Sequence, residues 1–283
     1  MAYGETAAGK RATEYEMRQE MVRLGRLMWE RGYVAATDGN LSVRLGPDRL
    51  LVTASGQSKG FLSADDLVII NLDGDPLPSH RGRGLRPSSE ILMHLEVYGQ
   101  RPDVNAVVHA HPPISTAFSI AGVSLARCVI PEVIVTLGTI PTADYATPGT
   151  REVATSIREA ICDYDALILA HHGSLTVGKS LWEAYLRLEK VEHTAQITLA
   201  AQQLGQVQTL SPEAVAKLTQ LRREALQRQG RDLCADCSVC VLGDEYQPPA
   251  TAMTLVSTND EESLVQQIAR TVLENLEGEA RRS

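Results

Sequence analysis

The sequence lacks any apolar run long enough to cross a membrane. Its longest apolar runs, such as those at 67–70 and 166–170, are far shorter than the roughly 20 residues that a membrane-spanning helix needs. Residues 1–12 are small and polar and contain no apolar signal segment. The net charge is -8, and no run of Lys and Arg exceeds two residues, so we expect no nucleic-acid surface. These absences predict a cytoplasmic protein with neither a membrane nor a nucleic-acid partner.

Cysteine is scarce, with five residues in the chain, and three of them form a C-x-x-C-x-x-C cluster at Cys234, Cys237 and Cys240. Without a secretory signal, a disulfide framework is not expected. The cluster could bind zinc or an iron–sulfur centre, but a closed site needs a fourth ligand and none stands out nearby. We therefore favour surface thiols for the cluster. Cys128 and Cys162 lie in apolar surroundings, which predicts that both are buried.

Helical and strand-like segments alternate along the chain and predict an α/β fold. Thr13 and Glu16 form a capping-box pattern that begins the first helix. Further helical segments are predicted to begin near 88, 147, 181 and 212. Strand-like runs occupy 41–45, 50–54, 67–72, 104–111, 166–170 and 174–177. The predicted organisation is a flexible arm at 1–12, a catalytic domain at 13–229, and a tail at 230–283 with the cysteine cluster and a final helix capped by Asn259.

Two histidines, His109 and His111, end an apolar run that is predicted to be a strand. Residues two apart in a strand project to the same face, so both imidazoles could contact one metal ion. A second apolar run ends in His171 and His172, and either of these could complete a three-histidine site. Three neutral imidazoles leave coordination positions open for substrate or water, as in catalytic metal sites. Zinc is the favoured ion, with manganese, cobalt or iron as alternatives.

Three short segments, at 37–40, 53–56 and 87–90, offer small hydrogen-bond donors at predicted turns. In the third segment, Ser88 and Ser89 stand at the predicted start of a helix, where backbone N–H groups and the helix dipole favour anions. Taken alone, this pair favours an ordinary helix cap over an anion site. Together the three segments could surround a phosphate. Weaker histidine candidates are His80, His193 and His94, of which the last lies one turn after Glu90 and could share its helix face.

The order of these motifs resembles the class II aldolase/adducin-head family over about residues 14–205. The matching motifs are G-N-L-S at 39–42, T-A-S-G at 53–56, P-S-S-E at 87–90, H-A-H at 109–111, Y-A-T-P-G-T at 145–150 and H-H-G at 171–173. This resemblance implies a three-layer αβα fold around a central, mostly antiparallel sheet. It also implies a homotetramer with active sites at subunit interfaces.

The resemblance further implies a role for each motif. Glu90 would be the catalytic acid/base, and the metal ligands would be His109, His111 and His172. The phosphate of the substrate would be bound by Asn40, Ser55, Gly56, Ser88 and Ser89. The implied reaction is the zinc-dependent cleavage of a ketose 1-phosphate to dihydroxyacetone phosphate and an aldehyde. The substrate would be similar to fuculose 1-phosphate or to a 5-deoxy or methylthio pentulose phosphate.

One position departs from the aldolase pattern and keeps alternatives open. Aldolases of this family carry a tyrosine, thought to protonate the aldehyde side, where this chain has Ile130. Glu132 nearby either acts instead or caps a turn. Epimerases of the family have Asp at the position of Glu90, which argues against that activity, whereas decarboxylases and dehydratases keep an acidic residue. A non-catalytic adducin-like scaffold is disfavoured because all three histidine ligands are present.

Overall fold

The computed structural model describes residues 12–79 and 84–228. Within them, a seven-stranded sheet has the order β3-β2-β1-β4-β7-β6-β5. Every neighbouring pair is antiparallel except β5 and β6, which are parallel. The strands are β1 (Asn40–Gly46), β2 (Arg49–Thr53), β3 (Leu67–Ile70), β4 (Ala106–Ala110), β5 (Thr142–Ala143), β6 (Ala166–Leu169) and β7 (Gly173–Gly178).

Helices cover both faces of the sheet, because successive strand residues point to opposite sides. Val107 of β4 enters the apolar core that the sheet shares with α2 and α5, whereas its neighbour Val108 enters the core shared with α1 and α6. The predicted three-layer αβα fold with a mostly antiparallel sheet is therefore confirmed. The helices are α1 (Glu14–Glu30), α2 (Ile91–Gln100), α3 (Pro113–Ile120), α4 (Pro131–Thr136), α5 (Arg151–Asp163), α6 (Leu181–Leu204) and α7 (Pro212–Arg228).

Two predicted helix starts were too early in the chain. Helix α2 begins at Ile91 with Glu90 as its N-cap, so the two serines lie just before the helix rather than capping it. Helix α5 begins at Arg151, because the Thr150 hydroxyl accepts a hydrogen bond from the backbone N–H of Glu152. Helices α3 and α4 and strand β5 were not predicted, since each is too short to show a periodic pattern.

The capping-box prediction for α1 is confirmed, since Thr13 and Glu16 exchange both hydrogen bonds of that motif. The prediction for the two isolated cysteines is half right. Cys128 is buried, but Cys162 is exposed, because it lies next to Ile161 on α5 and turns away from the core that Ile161 enters.

Several predictions fall on parts of the chain that the structure does not describe. These are residues 1–11 of the arm, His80, the cysteine cluster and the final helix after Asn259. In the two described ranges, none of the helices combines the length and the apolar character that crossing a bilayer would require.

Candidate active site

Sheet topology brings the histidine motifs to one end of the central strands. His109 lies in β4, directly opposite Asn40 of β1 and Leu175 of β7. His111 follows the end of β4, and its backbone N–H donates to the Tyr33 carbonyl over 2.9 Å. His172 lies in the tight turn between β6 and β7. Because β4 is bonded to both β1 and β7, residues far apart in sequence meet at this end of the sheet.

The three imidazoles and the Glu90 carboxylate converge on one point. The ring centroids of His109, His111 and His172 are 4.7–4.9 Å apart. The Nε2 atoms of His109 and His111 are separated by 3.0 Å. Glu90 places Oε1 3.0 Å from Nε2 of His172 and Oε2 3.4 Å from Nε2 of His109. One ligand atom from each of the four residues lies within 4.8 Å of the others.

The protonation of the histidines suits metal binding. Nδ1 of His109 lies 2.9 Å from the Ser174 carbonyl, which can only accept, so Nδ1 carries the proton and Nε2 presents a lone pair. Burial lowers the pKa of His109 to about 3, and the nearby His111 and His172 act in the same direction against the opposing charge of Glu90. Burial likewise lowers the pKa of His111. Neutral imidazoles are the form that metals require.

This donor set fits a divalent transition metal. Two nitrogens bound to one tetrahedral zinc at about 2.0–2.1 Å would lie about 3.3–3.4 Å apart, close to the 3.0 Å between the His109 and His111 Nε2 atoms. Three imidazole nitrogens with an adjacent carboxylate also suit manganese, cobalt or iron. The donors fit all four ions considered from the sequence, and they do not select one.

Glu90 is held as a carboxylate. It is the N-cap of α2, and its Oε2 accepts a 2.7 Å hydrogen bond from Nδ2 of Asn40. Burial alone would raise the pKa of Glu90, but His109, His172 and the Asn40 amide together hold it well below its usual range. The group beside the imidazoles is therefore an ionised base rather than a neutral acid.

The other histidines take different positions. His171 is exposed and adopts a left-handed backbone (φ 57°), and its ring lies edge-on to Tyr145 at 6.3 Å. Of the adjacent pair, only His172 joins the cluster with Glu90. His193 is exposed on α6. His94 is buried and points into a hydrogen-bonded row behind Asn40 rather than toward the imidazoles.

The three segments proposed for phosphate binding are joined to one another. The backbone N–H of Ser55 donates to the Arg86 carbonyl, and that of Ser88 donates to the Thr53 carbonyl. The Thr53 hydroxyl accepts from the backbone of Leu41, next to Asn40. Three of the candidates are exposed and free to face a ligand, namely Ser55, Gly56 and Ser89.

Two of the candidates already have partners inside the protein. The Ser88 hydroxyl accepts a 3.3 Å hydrogen bond from the backbone N–H of Glu90. The buried Asn40 amide contacts Glu90 through Nδ2 and His94 through Oδ1. Either residue can still donate to a ligand, since the Ser88 hydroxyl keeps its one hydrogen while accepting and the Asn40 amide nitrogen has a second proton.

A buried lysine beneath these segments was not predicted. Lys59 is 2% exposed, and its Nζ donates to the carbonyls of Thr37 and Gln57. Thr37 lies in the candidate segment 37–40, and Gln57 directly follows the candidate segment 53–56. Burial lowers the pKa of Lys59 to about 8, although Asp38 and Glu90 favour its charged form. The signal in the sequence was a lone lysine among small residues four positions after Ser55.

The alternative acid/base suggested by the sequence lies on a separate helix. Glu132 is exposed in the first turn of α4, where its backbone carbonyl accepts from the Thr136 hydroxyl. Ile130 is the N-cap of that helix and packs against the apolar cluster that contains Val133 and Leu137. Among the described residues, no hydrogen bond or ion pair joins the Glu132 side chain to the four clustered residues.

A second unpredicted carboxylate anchors the segment after His111. Glu192 of α6 is 1% exposed and accepts hydrogen bonds from the backbone N–H groups of Ile114 and Ser115, at 2.9 and 2.8 Å. These are the first turn of α3, whose free N–H groups would otherwise be unsatisfied. The two hydrogen bonds hold the chain in place three and four residues after His111, one of the metal-ligand candidates.

Gly173 allows two of the ligand-bearing segments to touch. A Cβ at this position would lie 2.3 Å from the Ala110 carbonyl oxygen and 2.7 Å from Cδ2 of His111. We expect Gly173→Ala to displace His111 and weaken metal binding by about tenfold to a hundredfold, as loss of a supporting contact typically does. Metal titration of the purified protein would measure this. Gly99→Ala is the matched control, because nothing lies within 4 Å of its Cβ position; equal metal affinity in both variants would contradict the prediction.

The αβα fold and its cluster of three histidines and a glutamate are the features of a class II aldolase-like protein. The chain belongs to the class II aldolase and adducin N-terminal domain family, whose model matches residues 19–199. Enzymes of this family depend on a metal ion and act on sugar phosphates. Membership of the family supports the assignment of this chain as a lyase.

Individual relatives carry two different activities. The chain is 36% identical to an L-fuculose phosphate aldolase of Methanococcus maripaludis over 63% of this chain and 93% of that protein. It is 35% identical to a 3-oxo-tetronate 4-phosphate decarboxylase of Escherichia coli over 65% of this chain and 86% of that protein. The solved structure of YgbL from Klebsiella pneumoniae, described as an aldolase/epimerase/decarboxylase, matches with a TM-score of 0.66 and 33% identity, covering 74% of this chain and all of that one.

Proposed function

We propose that this protein is a metal-dependent lyase that cleaves a ketose 1-phosphate to dihydroxyacetone phosphate and an aldehyde. The observation that carries the proposal is the position of the Glu90 carboxylate. It lies within 3.0–3.4 Å of two imidazole nitrogens and in the segment that follows Ser88 and Ser89. A base placed between a metal site and an anion site can serve a phosphorylated substrate whose reacting carbon is near its phosphate.

His109, His111 and His172 would hold the metal, for which we propose zinc first and manganese, cobalt or iron as alternatives. When bound, such an ion polarises the ketone oxygen of the substrate and stabilises the negative charge that develops when the carbon–carbon bond breaks. Nδ1–H of His109 is bonded to the Ser174 carbonyl, which fixes the ring so that Nε2 points to the site.

Glu90 would move the proton at the carbon next to the ketone. In the cleavage direction, the hydroxyl group that becomes the aldehyde loses its proton, and the electron pair of the broken carbon–carbon bond stays on the carbon next to the ketone. Glu90, which first takes up a proton from that hydroxyl group or from solvent, gives it to this carbon. In the condensation direction, Glu90 removes the same proton, which requires the carboxylate form that its surroundings favour. The Asn40 Nδ2–H bond to Oε2 leaves Oε1 and the remaining lone pairs of the carboxylate for this step.

The phosphate would be bound by Asn40, Ser55, Gly56, Ser88 and Ser89. Gly56 has a positive φ of 75°, which turns the chain sharply and leaves the backbone open to an anion. Lys59 adds a positive charge behind these segments. We include it as a contributor that the resemblance did not suggest.

We predict that Lys59→Met raises KM for the phosphorylated substrate by on the order of tenfold to a hundredfold, because an interaction with a charged group contributes about 1.5–3 kcal/mol. The pKa of Lys59 is about 8, so its charge is present below that pH and is lost as the pH rises through it. In the wild type, KM should therefore increase above about pH 8, while the variant should show no such rise. KM for an unphosphorylated analogue serves as the control; an equal change for both compounds would exclude a role in phosphate binding.

Decarboxylation is the second candidate, and the residue at position 130 favours it. An aldol cleavage needs an acid/base group on the aldehyde side, where Ile130 offers none and Glu132 is exposed on another helix. Loss of carbon dioxide from a 3-oxo-tetronate 4-phosphate leaves the same phosphorylated enediolate and needs no proton transfer at the departing group. Glu90 would then protonate the same carbon in both reactions.

A substrate screen separates these possibilities. The metal-loaded protein is incubated with ketose 1-phosphates, including L-fuculose 1-phosphate, 5-deoxy and methylthio pentulose 1-phosphates, and with 3-oxo-tetronate 4-phosphate. Dihydroxyacetone phosphate with an aldehyde supports the aldolase, whereas dihydroxyacetone phosphate with carbon dioxide supports the decarboxylase. Loss of water without dihydroxyacetone phosphate would indicate a dehydratase and contradict the proposal, as would inactivity on every compound, the result expected of a scaffold.

The proposal also includes an assembly and a location. We propose a homotetramer with active sites between subunits, located in the cytoplasm, with no nucleic-acid or membrane partner. Large exposed apolar side chains at Ile120, Tyr145 and Ile197 support burial of further surface between subunits. Light scattering of the purified protein would give the number of subunits.

A further inference from the structure

A continuous row of buried polar side chains runs from Glu90 into the interior. Asn40 donates to Glu90 over 2.7 Å, and its Oδ1 lies 2.5 Å from Nε2 of His94. Nδ1 of His94 lies 2.6 Å from the Ser42 hydroxyl, which lies 2.8 Å from the Tyr98 hydroxyl. The four residues behind Glu90 are each 3% exposed or less. The proposed mechanism uses only the first two members of this row.

The direction of every hydrogen bond in the row follows from its first member. A carboxylate can only accept, so the Asn40 amide must turn its nitrogen to Glu90 and its oxygen to His94. Nε2 of His94 must then carry a proton. Because a neutral imidazole has one N–H, Nδ1 must accept from the Ser42 hydroxyl, and Ser42 must in turn accept from Tyr98. Burial, opposed by the charge of Glu90, lowers the pKa of His94 to about 4, which agrees with a neutral ring.

We propose that His94 is a positioning residue for Glu90, because its Nε2–H fixes the orientation of the Asn40 amide. The two ends of an amide have nearly the same shape, so only hydrogen bonding decides which end faces the carboxylate. With the His94 N–H in place, rotation of the amide would set two acceptors against each other at Glu90 and two donors against each other at His94. Without it, the Glu90 contact alone would orient the amide, so the amide could turn, and its oxygen would then repel the carboxylate and move it away from the reacting carbon. This inference rests on the proposed role of Glu90.

Buried polar groups are costly unless all are satisfied, and this row satisfies each of its members. An apolar side chain at position 94 could fill the same space without that requirement. Packing alone does not require polar side chains in this row. Because the row ends at Glu90, its hydrogen bonds can orient the proposed base. Tyr98, at the far end, also lies under Arg44, whose guanidinium carbon is 4.6 Å from the ring centroid.

Two nearly isosteric variants test the proposal. A glutamine amide nitrogen can occupy the place of Nε2, whereas an asparagine amide reaches only the place of Nδ1. His94→Gln should therefore keep kcat close to that of the wild type, and His94→Asn should lower kcat by about tenfold to a hundredfold, as losing a supporting hydrogen bond typically does. Bound metal should be unchanged in both, and KM should change less than kcat, since His94 reaches the proposed phosphate-binding residues only through Asn40. Equal kcat values in the two folded variants would overturn the proposal.

A second pair of variants tests the proposal independently if the His94→Asn variant does not fold. Ser42→Ala removes the donor to Nδ1, so His94 can adopt the other tautomer and present a lone pair to Asn40. Tyr98→Phe leaves that donor in place. We expect kcat to fall in Ser42→Ala and to stay near the wild-type value in Tyr98→Phe, with similar melting temperatures; the reverse order would count against the proposal.

Crystal structures of the variants separate this inference from the proposed function. Displacement of the Glu90 carboxylate in His94→Asn or Ser42→Ala, but not in His94→Gln, would support positioning even if the screen finds no lyase activity. A carboxylate in the same place in all variants would overturn the positioning role even if the wild type is an active lyase.

Discussion

His109→Ala will abolish metal binding and reduce turnover to background. The imidazole that it removes is fully buried, and its Nε2 lies 3.0 Å from that of His111 and 3.4 Å from Glu90, at the centre of the cluster. Two remaining imidazoles leave a catalytic metal with too few protein ligands. Elemental analysis of the purified variant, together with rates before and after added zinc or manganese, measures both effects.

His193→Ala is the matched control, because His193 is exposed on α6 and should leave metal content and rate unchanged. Removing a buried side chain also leaves a cavity, so the melting temperature of His109→Ala must be measured alongside. His111→Ala removes a less buried ligand of the same cluster and should lose metal with a smaller effect on stability. Full metal occupancy in folded His109→Ala would show that the metal site is wrongly assigned.

Glu90→Gln will retain its metal and still bind dihydroxyacetone phosphate, but it will not exchange the carbon-bound proton of that ligand with solvent deuterium. Glutamine keeps the shape of the side chain and cannot accept the proton. Loss of a general base typically lowers the rate by about a hundredfold to ten-thousandfold. Proton NMR of dihydroxyacetone phosphate in deuterated buffer follows the exchange directly and does not depend on which aldehyde or acid is the natural partner.

Glu96→Gln is the control for this variant. Glu96 lies on the same helix, and its carboxylate pairs with Arg158 on the surface instead of facing the histidines. We expect exchange at the wild-type rate in Glu96→Gln. The same rate in Glu90→Gln would assign the base to another group, such as Glu132, and would also remove the basis for the positioning role of His94.

The metal-ligand candidates could be predicted from the sequence because their geometry is local. Side chains alternate across a strand, so the spacing of His109 and His111 alone places both imidazoles on one side. The helical and strand-like segments likewise predicted an α/β fold, and Thr13 with Glu16 predicted the start of α1, whereas the three αβα layers were implied by the family resemblance. Each of these patterns depends on residues within a few positions of one another.

Tertiary structure decided the features that depend on distant residues. From the residues alone, His171 and His172 were equivalent, and only the turn between β6 and β7 brings His172 to Glu90. The row through His94 joins residues about fifty positions apart, and Lys59 joins two separate segments, so no local pattern could reveal either. Helix α2 starts later than predicted, and this places Glu90 rather than a serine at the cap. These contacts arise because strand pairing and helix packing set which side chains meet, and those long-range contacts are absent from any short stretch of sequence.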